Sequence, residues 1–191
     1  MNKRHEIAKR ADIGWNGIHR DARNSDATPY EIGPYLSPSW TALEGAAILF
    51  GPSIGPQKRR YVTTGQGGGN RHLHAFEADG SRCFEDHPDW LKPGPRICTD
   101  VPLFDDAGRM YVSGENHVWC FKPSGDLLWI SDMTARGAHG GLVSTIITKS
   151  GYVGGVTLYG QIILLDPETG ALAKPIFQTP VGPVFEPVSP M

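Results

Sequence analysis

Cysteine is scarce in this chain: three in 191 residues, Cys83, Cys98 and Cys120. Three thiols cannot all pair with one another, and none has the close spacing of a zinc site or a redox pair. Cys120 sits inside an apolar run and reads as a small core residue rather than a reactive thiol. An excess of one charge is lacking too. Eighteen basic against twenty acidic residues leave no electrostatic footprint for nucleic acid or an anionic membrane. No apolar stretch approaches the roughly 18 residues of a membrane-spanning helix. Residues 1–17 start basic but carry no apolar run behind the charges, which is not the pattern of a complete signal peptide. Low-complexity sequence is absent. The compartment is left unknown.

What the chain has in quantity is Gly, at 24, and Pro, at 16, with no three-residue period. That composition fits many tight turns rather than a collagen, and the apolar runs between the turns argue against disorder. The length is enough to bury an ordinary core. Residues 109–130 set the pattern. Met110-Tyr111-Val112, Val118-Trp119-Cys120-Phe121 and Leu127-Leu128-Trp129-Ile130 are separated by turn signals at 113–116 and 123–125. Short aromatic and β-branched runs of this kind read as an antiparallel meander. The runs are apolar at consecutive positions, so the sheet they form is covered on both faces.

The same unit recurs on either side. The turn glycines Gly80, Gly125 and Gly170 are 45 residues apart in both intervals. Tyr-Val pairs at Tyr61, Tyr111 and Tyr152 recur at 50 and 41, the longer gap being assigned to the loop at 67–71. A period of roughly 40–45 residues with several strands per period is the signature of propeller blades. Three unrelated hairpins in a β-sandwich are the alternative, and the two equal spacings argue against it.

The third unit, Leu164-Leu165-Asp166-Pro167-Glu168-Thr169-Gly170, resembles the repeat of the pyrroloquinoline-quinone-type (PQQ-like) β-propellers. In that repeat a strand runs into an Ala-Leu-Asp-x-x-Thr-Gly hairpin and the next strand closes on a Trp four residues past the Gly. The second unit keeps this Trp as Trp129, the first has Phe84 in its place, and the third has Lys174, a departure from the pattern. Trp40, 44 residues before Phe84, reads as the closing aromatic of an incomplete preceding blade. The resemblance covers about residues 40–191 and implies architecture more than activity. Members of the class that are dehydrogenases hold the quinone on the propeller axis with a calcium or lanthanide ion, an Asp base and often adjacent cysteines. None of those signatures maps onto this chain, and class membership does not bring the cofactor with it.

The expected organisation is an irregular lead-in over 1–39, followed by repeats over 40–191. The units cover about 46–85, 97–132 and 142–174, with a partial unit at 176–191. The first unit's strands are expected at 46–50, 60–64, 72–76 and 81–85, and 133–141 is expected to be a flexible connection. The fold is therefore an all-β partial propeller of four-stranded antiparallel blades, with three recognisable blades, partial blades at the ends and the form of an open arc. Contacts between neighbouring blades are expected to supply most of its stability, since one thin sheet cannot bury both faces alone.

Chemistry-bearing residues are few. The glycine loop at 65–70 lacks the following helix and the Lys-Ser/Thr pair of a phosphate cradle, so it reads as a wide loop at the blade rim. His72 and His74, two apart on a strand, project from one face, and no third ligand is near in sequence. The reading is one packed or hydrogen-bonded imidazole and one near the rim. Asp105-Asp106 and Asp166/Glu168 fall at turns, where acids serve the backbone. Trp119, Phe121 and Trp129 read as packing between blades rather than a ligand cage. Ligand-face candidates are Asn70, Arg71 and His139, on loops, with no nucleophile or paired carboxylate to make any of them catalytic. The functional expectation is a non-enzymatic binding or scaffold module, a piece of a longer chain, taking no cofactor. Its partner would be a protein, peptide or small ligand on a loop-bearing face, or the missing blades or further copies of itself; nucleic acid is not expected. The alternative is a fragment of a quinoprotein oxidoreductase, which would use PQQ with calcium.

Overall fold

The structure is a computed structural model, which describes residues 37–65, 72–91, 98 and 100–180. It is all-β, with three four-stranded antiparallel sheets. The first blade holds β1 (Ser53–Ile54), β2 (Arg60–Thr63), β3 (Leu73–Phe76) and β4 (Arg82–Cys83). In the second are β5 (Leu103–Phe104), β6 (Met110–Ser113), β7 (His117–Phe121) and β8 (Leu127–Asp132). The third is built from β9 (Leu142–Ile147), β10 (Val153–Thr157), β11 (Gln161–Leu165) and β12 (Phe177–Gln178). Strands follow one another across each sheet in chain order, as a meander requires. Among the described residues the only α-helix is α1 (Pro88–Leu91), four residues long.

The consecutive apolar residues of the second blade are explained by two cores. Successive side chains on a strand point to opposite faces. Met110, Val112, Trp119 and Phe121 therefore enter a cluster with Tyr61, Leu73 and Ala75 of the first blade. Their neighbours Tyr111, Val118, Cys120 and Trp129 enter a second cluster with Leu142, Val153, Ile163 and Leu165 of the third. The middle sheet is sandwiched, and its residues from 110 to 113 are all buried.

Several boundaries differ from the sequence expectation. Residues 46–50 do not form the first strand. That place belongs to Ser53–Ile54, paired with Tyr61 and Arg60, while the Ala47 carbonyl accepts a hydrogen bond from Gly65 N at 2.9 Å. The fourth strand of the first blade is short because Phe84 turns out of the sheet at φ 58. Residues 133–141 are no loose connection. They fold into a 3-10 turn at Thr134–Arg136 and drive Met133 and Ala138, both fully buried, between the second and third blades. The third blade is completed beyond Lys174, by Phe177–Gln178 pairing with β11, so these two residues close that blade instead of opening another. The remainder of the partial unit, 181–191, lies outside the described residues, as does most of the lead-in.

The Tyr-Val repeat also needs correction. In each blade the turn between the first two strands is closed by one backbone hydrogen bond, from Gly55 to Arg59, from Asp105 to Arg109 and from Thr148 to Tyr152. Tyr152 thus corresponds to the two arginines, and Gly154 takes the place of Tyr61 and Tyr111. No side chain fits there: a Cβ at Gly154 would lie 1.9 Å from the Ile163 carbonyl oxygen. The sequence alignment of Tyr152 was off by two because it matched residue type, and pairing register decides the face.

Candidate functional site: the outward face of the third blade

In every blade an aromatic ring from the preceding blade, or for the first blade from the segment before β1, is laid on a turn glycine. Trp40 covers Gly80, Phe84 covers Gly125 and Trp129 covers Gly170, so closely that a Cβ would come within 2.5–2.7 Å of each ring. The spacing of glycines and aromatics in the sequence is thus a spacing of joints. The indoles add a hydrogen bond, Trp40 Nε1 to Ala78 O at 3.1 Å and Trp129 Nε1 to Pro167 O at 3.0 Å. Phe84 has no such donor. Trp90, from the short helix α1, stacks at 4.8 Å on Phe84 and donates its own Nε1 to Gly125 O at 3.0 Å.

Polar side chains reinforce the same joints. Asp105, fully buried, accepts from the Arg109 backbone N at 2.8 Å, from Arg109 Nε at 2.6 Å and from the Tyr111 hydroxyl at 2.8 Å. Arg109 then reaches across to Glu168 in the third blade. Burial works against the Arg109 charge, yet the hydrogen bonds to Asp105 and Glu168 hold its pKa above the ordinary arginine value. Burial raises Tyr111 strongly, so it is a neutral donor here. In the first blade Arg59 makes the lesser version, bonding Glu77 at 2.7 Å and lying 5.1 Å over the Phe84 ring. Asp100, also buried, receives Thr145 N from the third blade on its carboxylate, and its carbonyl takes the Thr63 hydroxyl of the first at 3.0 Å. Asp105 was not recognisable as a tie between blades from its place in a turn, and Asp100 was not singled out in the sequence at all. A signal for the first did exist in the Arg-x-Tyr at 59–61 repeated at 109–111.

The third blade breaks this code on its outward side. At the positions of Arg109, Tyr111 and Trp129 it carries Tyr152, Gly154 and Lys174. The face is still apolar. Pairing registers put Ile146, Val156, Ile162, Leu164 and Phe177 on one side, opposite the residues that pack on the second blade. Ile146 is 51% exposed, Val156 37% and Phe177 58%. Beside this face a cavity of about 480 Å³ opens between the turn at Ser150–Tyr152 and the hairpin from Asp166 to Ala173. Its acids are already engaged: Asp166 accepts from Thr169 N at 2.9 Å and Glu168 pairs with Arg109. An apolar face rimmed by polar turns is the usual form of an interaction surface.

No family model matches the chain, and no curated protein matches its sequence.

Of the ligand-face candidates singled out from sequence, only His139 can be placed. Asn70 and Arg71 lie outside the described residues. His139 is exposed, with its backbone N donating to Gln161 Oε1 at 2.7 Å and its ring edge-on to Tyr159 at 6.1 Å. His72 and His74 do share a face, and both converge on Thr64. His72 Nδ1 lies 3.0 Å from Thr64 O, and His74 Nε2 lies 3.4 Å from its hydroxyl. Among the described residues no three His, Cys, Asp or Glu side chains are placed to hold a metal ion. The thiols are poor nucleophiles: burial raises Cys98 to about 12 and Cys83 to about 11, the latter with help from Glu77. Burial also raises Cys120. Trp119 and Phe121 face the first blade and Trp129 the third, which makes all three packing residues.

Proposed function

We propose that this chain is a non-catalytic binding or scaffold module built from PQQ-like propeller blades, and that its working surface is the outward face of the third blade. The observation that carries this reading is the contrast between equivalent faces. On the first and second blades that side is buried under the next sheet, with Tyr61 3% and Tyr111 0% exposed. On the third, apolar side chains of the same sheet stand in solvent. The buried acids Asp105 and Asp100, the Arg109 guanidinium and the indoles of Trp90 and Trp129 are all engaged in holding blades together.

The competing idea is a fragment of a PQQ-dependent oxidoreductase, and it makes a different prediction. Titration of the purified chain with PQQ and calcium, followed by calorimetry and by reduction of an artificial dye, separates the two. The module reading expects no saturable binding and no dye reduction. A stoichiometric, metal-dependent complex overturns it.

A further inference from the structure

The joint between the first and second blades is built differently from its neighbours. Trp40 and Trp129 each reach the next hairpin directly, whereas Phe84 is completed by Trp90, which α1 carries into place. The Trp90 ring also meets Phe121 of the second blade at 5.8 Å. The joint therefore depends on the turn that holds Trp90. His87 stands immediately before α1 and caps it. Its Nδ1 accepts the Asp89 backbone N–H at 3.2 Å, and its carbonyl accepts the Trp90 N–H at 2.9 Å. An imidazole here takes the place of the usual hydroxyl or carboxylate cap.

The other edge of the same ring faces the second blade. His87 Nε2 lies 3.3 Å from Asp126 Oδ1, on the turn between β7 and β8. The ring sits edge-on to Phe84 at 6.1 Å, and a Cβ at Gly125 would meet both of them. These two polar contacts fix the proton. A backbone N–H donates only to a nitrogen with a free lone pair, so Nδ1 is bare and Nε2 carries the hydrogen that Asp126 accepts. A second proton can enter only at Nδ1, where it would confront the Asp89 N–H donor to donor. Imidazole is the side chain that ordinarily takes up a proton between pH 8 and 5.

We propose that this joint is acid-sensitive: protonation of His87 uncaps α1, loosens the turn that carries Trp90 and weakens the hold of the first blade on the second. Among the described residues, the charged groups around the ring are Asp126, with Lys122 near it, and Asp89, whose carboxylate accepts from Leu127 N at 2.9 Å. The Ser124 hydroxyl, then the charges of His87 and Lys122, hold Asp126 below the usual carboxylate range. Asp126 opposes the loosening, because protonation turns its hydrogen bond with His87 into an ion pair. That gain is only an increment on a contact already made, and with the Asp126 side chain 52% exposed it is weakened by water and salt. Loss of the cap is complete, since imidazolium has no lone pair to offer.

Amide hydrogen exchange followed by NMR on the full chain, between pH 8 and 5, reads the Asp89 N–H itself. After correction for the intrinsic exchange rate, its protection is expected to fall about fivefold on acidification, the equivalent of one lost cap. Amides of β7 are expected to keep theirs, and Trp90 fluorescence should change over the same pH range. His87→Asn, which caps without titrating, should remove the pH dependence. Asp126→Asn, or salt raised to about 0.5 M, removes the opposing charge and should enlarge it. Protection at Asp89 that is flat with pH overturns the inference. So does a fall that persists in His87→Asn, one that Asp126→Asn abolishes, or one that β7 shares in parallel.

Discussion

The joint between the second and third blades can be tested through a double-mutant cycle on Trp129 and Gly170. Trp129 is 8% exposed, its ring lies 6.0 Å from Tyr111, and it donates a hydrogen bond to Pro167 O. Truncating a buried Trp to Ala removes about 3–5 kcal/mol. Trp129→Phe keeps a ring on the glycine and loses the hydrogen bond, about 1 kcal/mol. Gly170 sits at φ +67, and a Cβ there would meet the Trp129 ring at 2.5 Å. Gly170→Ala therefore carries two costs, about 1–2 kcal/mol for the left-handed backbone and about 1–3 kcal/mol for overpacking. Only the second depends on the ring. In a Trp129→Ala background Gly170→Ala should cost only its backbone share, so the pair is non-additive by about 1–3 kcal/mol. Urea unfolding of the four proteins measures this. Additivity within about 0.5 kcal/mol, the level found for independent sites, would refute the claim that the ring on the glycine is the joint. Since whole domains hold about 5–15 kcal/mol, Trp129→Ala should also be close to the limit of folding.

Other expectations follow from the same geometry. Asp105→Ala leaves the Tyr111 hydroxyl and the largely buried Arg109 without their shared acceptor and should cost about 3–5 kcal/mol in denaturant unfolding, whereas Tyr111→Phe should cost nearer 1 kcal/mol. Trp90→Phe should lose about 1 kcal/mol, the hydrogen bond that replaces the donor Phe84 lacks, and a value near zero would dismiss that substitution of roles. Gly154→Tyr, which restores the residue of the first two blades, should prevent the third sheet from forming and abolish cooperative melting, because the Ile163 carbonyl occupies the Cβ position. Stability should decline in alkali: burial raises Cys98 from 9.0 and Tyr61 from 10.0, both to about 12. The unfolded chain then releases protons that the folded chain keeps, so the contribution is complete below about pH 9 and is lost between there and pH 12. Denaturant midpoints at pH 8, 10 and 11 check the sign, and a midpoint rising with pH would contradict it.

The sequence by itself determined the fold class, because strand periodicity and turn chemistry are local. The equal spacing of Gly80, Gly125 and Gly170 and the aromatics near them were legible for the same reason: a joint remade in every unit leaves a periodic trace. Sandwiching of the second blade was legible too, since only a sheet buried on both faces tolerates apolar residues at consecutive positions. Tertiary structure decided the rest. Whether Tyr152 or Gly154 matches Tyr111 depends on hydrogen-bond register, which a two-residue shift in the turn rewrites without changing composition. The burial of Met133 and Ala138 depends on a neighbouring blade being present, not on the polar residues around them in the chain. Lys174 was visible as a departure from the repeat, but its consequence was not. Only the pairing register gathers Ile146, Val156 and Phe177, which lie 28, 18 and three residues from Lys174 in sequence, on one face that no other described sheet covers.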